Sequence, residues 1–150
     1  MQAKYVHTNL IAQDCRKIAA FYQQVFGCTI VVAESVLSGR WLDQVSGVPG
    51  AEIHLIHLRL PGCGDTGPTL EIIQYNRHER SQPTAANRPG FGHIAFAVED
   101  VQVAQAAVMA AGGGNVGEIV SADLPGRGHL TVIYATDPEG NIIELQHWAP

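Results

Sequence analysis

From Lys4 to Ile11 (KYVHTNLI) the side chains fall into two sets, as on a strand with two unlike faces. Asp14 then stands at a helix N-cap position. Cys15 to Phe26 places Ile18, Phe21, Tyr22 and Val25 at helical spacing, and Gly27 follows as a stop. Cys28 to Val36 (CTIVVAESV) is rich in β-branched residues and predicts a strand. A loop with Gly39, Gly47, Pro49 and Gly50 leads to a third strand, Glu52 to Leu60, and the turn PGCGDTGP to a fourth, Thr69 to Tyr75. Asn76 to Pro89 is polar, holds two prolines and predicts a linker.

The order then repeats. Phe91 to Val98 predicts a strand, and Asp100 caps a helix over Val101 to Ala111 that aligns Val101, Ala104, Val108 and Ala111. GGGN ends that helix. Strands come next over Val116 to Ala122, His129 to Thr136 and, after the turn DPEGN, Ile142 to Trp148. The pattern predicts an α+β chain of two tandem βαβββ modules, about 4–76 and 90–148, forming one domain over 1–150. The three glycines at 112–114 come after a helix, whereas phosphate-cradling glycines precede one, so they are read as a helix stop.

The repeat extends to chemistry. His7 precedes Asp14 by seven residues, and His93 precedes Asp100 by seven. Each module closes on a strand with a glutamate among apolar neighbours, Glu71 in TLEIIQY and Glu144 in NIIELQHW. Alternation puts Glu71 with Ile73 and Tyr75, and Glu144 with Ile142 and Gln146. His7 shares a face with Tyr5, Asn9 and Ile11, and His93 with Phe91, Ala95 and Ala97. A carboxylate in mid-strand is costly unless it is paired or bound to a metal, and no Lys or Arg lies near either glutamate in sequence. A single buried His is more often structural than a ligand, and a single Glu is as often solvated. Four such residues in matched places favour one divalent metal held by His7, Glu71, His93 and Glu144. Nitrogen and oxygen donors without thiolate suit Ni, Co, Mn, Fe or Zn.

The other histidines rank lower. His54 and His57 are three apart on one strand and face opposite ways, His78 lies in the linker, and His147 faces away from Glu144. His129 and Glu52 are the remaining candidates for contact with substrate, Glu52 as an acid or base. No GxSxG elbow is present, and Cys15 has no evident base beside it, so nucleophilic catalysis fits poorly.

Composition narrows the class. A hydrophobic fraction of 46% supports a packed interior and argues against disorder. A net charge of −5 without a long basic run argues against nucleic acid. No apolar stretch is long enough to span a bilayer, and MQAKYVHTNL is unlike a secretory signal. Cys15, Cys28 and Cys63 are an odd set without paired spacing, as expected of reduced thiols in a cytoplasmic protein.

The opening VHTNLIAQDCRKIAAFYQQVFG, the second start GFGHIAFAVEDV and the ending DPEGNIIELQHW resemble the vicinal oxygen chelate superfamily over nearly the whole chain. That group includes glyoxalase I, methylmalonyl-CoA epimerase, extradiol dioxygenases, and fosfomycin or bleomycin resistance proteins. The resemblance implies a curved mixed sheet around a metal-containing cavity, with one ligand from each of four strands, which map to His7, Glu71, His93 and Glu144. This His, Glu, His, Glu set is most similar to bacterial glyoxalase I; epimerases usually carry Gln at the place of Glu71, and extradiol dioxygenases use two His and one Glu. The segment SGRWLDQVSGVPGAEIHLIHLRLPG departs from glyoxalase I, and GAEIHLI resembles the epimerase segment whose second catalytic glutamate maps to Glu52.

In function, the resemblance implies a metal-dependent lyase or isomerase of the glyoxalase I type acting on a small oxygen-chelating substrate. A carboxylate released from the metal acts as base, Glu144 by preference over Glu71, with proton transfer through an enediolate held at the metal. The alternatives are an epimerase, an Fe(II) extradiol-type dioxygenase, or a non-catalytic antibiotic-binding protein. The resemblance also implies a homodimer.

Overall fold

A computed structural model describes residues 1–149, and the chain falls into two units, Met1–Arg80 and Ser81–Pro150. The first unit runs β1 (His7–Ile11), α1 (Cys15–Phe26), β2 (Thr29–Ser38), α2 (Arg40–Ser46), β3 (Glu52–Arg59) and β4 (Thr69–Tyr75). Its four strands form one mixed sheet in the order β1-β4-β3-β2, with β1 parallel to β4 and the other pairs antiparallel. Helix α1 starts where the carboxylate of Asp14 accepts the backbone N–H groups of Arg16 and Lys17 at 3.1 and 3.0 Å. It stops at Gly27, whose φ of 68° favours a residue without a side chain. The helix packs across β3 and β4, burying Ile18, Phe21 and Tyr22, and the sheet's Leu58, Leu70 and Ile72 are likewise buried. Each large side chain so buried stabilises the fold by about 1.5–3 kcal/mol.

The expected loop around Gly39 and Gly47 is instead interrupted by a helix, α2. Leu42 on α2 is buried with Ala51, Ile53, Leu55 and Ile73, and Leu37, Val48 and Tyr75 pack around them. Asp43 accepts the N–H of Ala51 at 2.9 Å and ties the helix to the start of β3. Seven residues give only two turns, too few for a periodic signal, and the flanking glycines read as loop.

The second unit runs β5 (Ile94–Ala97), α3 (Val101–Ala110), β6 (Gly114–Asn115), β7 (Val120–Leu124), β8 (Gly128–Thr136) and β9 (Ile142–Ala149). Strands β5 and β9 are parallel, β9 pairs with β8, and β8 pairs with both β6 and β7. The strand expected over Val116 to Ala122 begins at Val120, and the short β6 precedes it. Both units are thus α+β, each with one mixed sheet.

The glycines after α3 have separate reasons. Gly112 turns the chain at a φ of 88°, while a Cβ on Gly113 would sit 2.3 Å from the carbonyl oxygen of Thr136 and 2.6 Å from a methyl of Val108. Gly113 therefore lets α3 close against β8. In the turn DPEGN, the buried Asp137 accepts the N–H groups of Glu139 and Asn141 and the side-chain amide of Asn141, at 2.8–3.0 Å. Burial nonetheless raises its carboxyl above the usual range. Among the described residues, no helix is long and apolar enough to cross a membrane.

Candidate metal centre

Register decides which side chains meet. In the first unit Asn9 on β1 and His57 on β3 both lie opposite Glu71 on the central strand β4, and His7 lies opposite Thr69. Alternation then gathers His7, Asn9, His57, Thr69 and Glu71 on one sheet face, the face that α2 covers further along at Ile53, Leu55 and Ile73. Nε2 of His7 is 3.5 Å from Oε2 of Glu71, and Nε2 of His57 is 3.1 Å from its Oε1. Asn9 donates Nδ2–H to Oε2 of the same carboxylate at 2.9 Å. Nδ1 of His57 lies 3.1 Å from the hydroxyl of Thr69. The His7 and His57 rings meet edge to face at 5.7 Å.

One ligand atom from each of His7, His57 and Glu71 lies within 4.8 Å of the other two. An ion with bonds of about 2.0–2.2 Å puts neighbouring donors roughly 3 Å apart, so these separations suit one shared divalent ion. Two imidazoles and a carboxylate are also the donor types that later first-row ions prefer.

The second unit repeats the pairing with fewer partners. His93 stands one residue ahead of β5, and its Nε2 is 3.2 Å from Oε2 of Glu144 on β9. Tyr134 lies opposite Glu144 on β8, and its ring packs on His93 at 5.0 Å between centres. Gln146 and Trp148 continue the Glu144 face; Trp148 donates Nε1–H to Gln146 at 2.7 Å, and the guanidinium of Arg127 sits 5.0 Å from the indole.

The structure thus brings His7 to Glu71 in the first unit and His93 to Glu144 in the second. Glu52 is not brought to the first group. It alternates with His57 and shares the face of His54, with its backbone N–H paired to the side chain of Asn76. His54 lies 2.7 Å from Glu34, which also takes two hydrogen bonds from Arg16 at 2.5 and 2.8 Å. Arg16 first, and His54 second, hold the Glu34 carboxyl below its usual range. This group joins α1 to β2 and β3 on the opposite face. His129 pairs with Asp123 at 2.7 Å and alternates away from Glu144, while His147 binds the carbonyl of Val98 at 3.0 Å.

His57 is the residue that reading the chain passes over. The sequence does separate it from His54 by face, but only the β3–β4 register shows that His57 is the one opposite Glu71. Alternation places Asn9 on the face of His7, with nothing to mark it as a partner of Glu71.

A family model described as Glyoxalase/Bleomycin resistance protein/Dioxygenase superfamily matches residues 4–145. Among solved structures, a glyoxalase family protein from Bacillus cereus is 17% identical, with a TM-score of 0.83 over 100% of this chain and 97% of that one. The genomically encoded fosfomycin resistance protein FosX from Listeria monocytogenes is 22% identical, with a TM-score of 0.63 over 99% and 96%. A glyoxalase/bleomycin resistance protein/dioxygenase family enzyme from Burkholderia phytofirmans is 17% identical, with a TM-score of 0.63 over 98% and 100%. At these identities the likeness is one of fold. No curated protein matches the chain by sequence.

Proposed function

The chain belongs to the Glyoxalase/Bleomycin resistance protein/Dioxygenase superfamily, and from that premise we propose that it is a divalent-metal-dependent lyase or isomerase. Its substrate is a small molecule with two adjacent oxygens, and the reaction moves a proton on the carbon beside them. One observation carries this reading: each unit sets an imidazole against a carboxylate, at 3.5 Å for His7 and Glu71 and at 3.2 Å for His93 and Glu144. In this proposal the four residues hold one ion, the two units act as one domain, and the protein works as a homodimer in the cytoplasm. The buried free thiols of Cys15 and Cys28 agree with a reducing compartment.

When bound, the ion would supply Lewis acidity, polarising a substrate carbonyl and acidifying the neighbouring C–H. The two glutamates divide the remaining work by how they are held. Glu71 has Asn9 on one oxygen and His57 beside the other, which suits a fixed ligand. Glu144 has, among the described residues, only His93 as a polar side-chain partner, so its carboxylate is the freer to swing. Glu144 therefore accepts the proton from carbon and returns it, giving an isomerised or epimerised product. Packed on Tyr134, the His93 ring holds Glu144 ready for this motion.

The test is Glu144→Gln, assayed with the methylglyoxal–glutathione hemithioacetal and with methylmalonyl-CoA. Loss of the base should lower turnover by about 10² to 10⁴ while elemental analysis still finds metal. A variant as active as the parent refutes the role of Glu144. The two imidazoles and one carboxylate of the first unit favour one second reading, an Fe(II) oxygenase, because that donor set is the one such enzymes use. Oxygen uptake on a catechol would support it, and its absence in iron-loaded protein would remove it. A parent protein that holds no transition metal would instead point to a non-catalytic binder.

A further inference from the structure

We propose that His57 is itself a metal donor, so that the first unit meets the ion with two imidazoles and a carboxylate. The inference rests on the metal-site reading above and adds a residue to it. His57 and Glu71 are adjacent across β3 and β4, with side chains only 18% and 15% exposed, so neither is a mobile surface group. The ring is held at its far end, since Nδ1 lies 3.1 Å from the Thr69 hydroxyl while Nε2 points to Glu71. This is the arrangement of a ligand histidine, whose second nitrogen is oriented by an outer partner.

Tautomers sharpen the point. If Nδ1 carries the hydrogen and donates it to Thr69, Nε2 presents a lone pair to a carboxylate oxygen at 3.1 Å. Two acceptors at that distance call for a cation between them. If Nε2 carries the hydrogen, the pair is satisfied without an ion, and His57 merely positions Glu71. The placement of His7 favours the first state. Its Nε2 approaches the same carboxylate at 3.5 Å, so two imidazole nitrogens converge on one anion within the span that a single ion bridges. The added nitrogen donor biases the site toward cobalt, nickel or zinc and away from magnesium or calcium.

The full-length chain titrated with Co²⁺ decides the matter, with affinity read by chelator competition and donor number by the visible absorption of the bound ion. Removing an outer partner of a ligand typically weakens metal binding roughly 10- to 100-fold. His57→Asn should exceed that, losing more than about 100-fold relative to the parent with a shifted cobalt spectrum. Thr69→Ala should stay inside the lower range. A loss of about 100-fold or less in His57→Asn, or an unchanged spectrum, overturns direct ligation. His57→Gln answers the same question if the asparagine variant fails to melt cooperatively. Should His7→Ala lose cobalt while His57→Asn keeps it, this inference fails and the metal site stands; a parent chain that binds no cobalt ends both.

Discussion

Asn9→Ala isolates the outer hold on Glu71. The amide of Asn9 donates to Oε2 of Glu71 at 2.9 Å and reaches the backbone carbonyl of the same residue at 3.4 Å. A hydrogen bond to a charged group contributes about 1.5–3 kcal/mol. Independently, losing an outer partner lowers metal affinity roughly 10- to 100-fold, which is about 1.4–2.8 kcal/mol. The two ranges overlap almost fully. Because Asn9 is exposed and water can replace part of its bond, the lower end applies, near tenfold. Stability should move little, since an exposed side chain on an edge strand normally changes it by less than about 0.5 kcal/mol. The assay is therefore a pair: chelator competition for Co²⁺ affinity and urea unfolding of the metal-free chain. An affinity within twofold of the parent, or a loss in affinity matched by an equal loss of metal-free stability, refutes the reasoning that Asn9 acts by orienting a ligand.

Three other outcomes are expected. Gly113→Ala forces a methyl to within 2.3 Å of the Thr136 carbonyl and should destabilise by about 1–3 kcal/mol, read as a lower urea midpoint at constant slope; an unchanged midpoint would show that α3 can shift. In a thiol-labelling experiment at pH 8, exposed Cys63 should react promptly and buried Cys15 and Cys28 only on unfolding, burial having pushed the Cys28 thiol up to about 11. Fast labelling of more than one thiol in native protein would contradict that packing. Asp137 binds its proton more readily folded than unfolded, so its contribution to stability is fully present below the unfolded value and declines as pH rises through the raised folded one. Asp137→Asn should lack that decline, and identical pH profiles for parent and variant would exclude it.

Whatever is encoded locally is legible in the sequence. Strand β4 is bounded at Thr69 and Tyr75 because PGCGDTGP stops anything regular before it, and both long helices are framed by aspartate caps whose hydrogen bonds are present. The short helix α2 is not legible, because what stabilises it is Leu42 meeting Ile53, Leu55 and Ile73, residues ten or more positions away. The same division runs through the site. That His7 and Glu71 can share a face is readable from alternation; that β1 lies parallel and next to β4, which makes them neighbours, is not.

His57 marks the boundary most sharply. Its opposition to His54 is fixed by their spacing, yet the choice between them turns on the register of β3 against β4 across a nine-residue connection. A slip of one residue there would put Ile56 or Leu58 opposite Glu71 and send His57 to the helix side. Glu52 is misplaced by sequence for the same reason. Its resemblance to an acidic residue elsewhere supplies a role, while parity with His54 puts it on the face that α1 covers. Buried apolar residues settle the register: Leu58, Leu70 and Ile72 must all face α1, and once they do, Glu71 and His57 are left together on the other side. The polar group is thus a consequence of where the apolar residues must go, and a substitution that weakens the packing under α1 should loosen the pairing of His57 with Glu71 before it unfolds the chain.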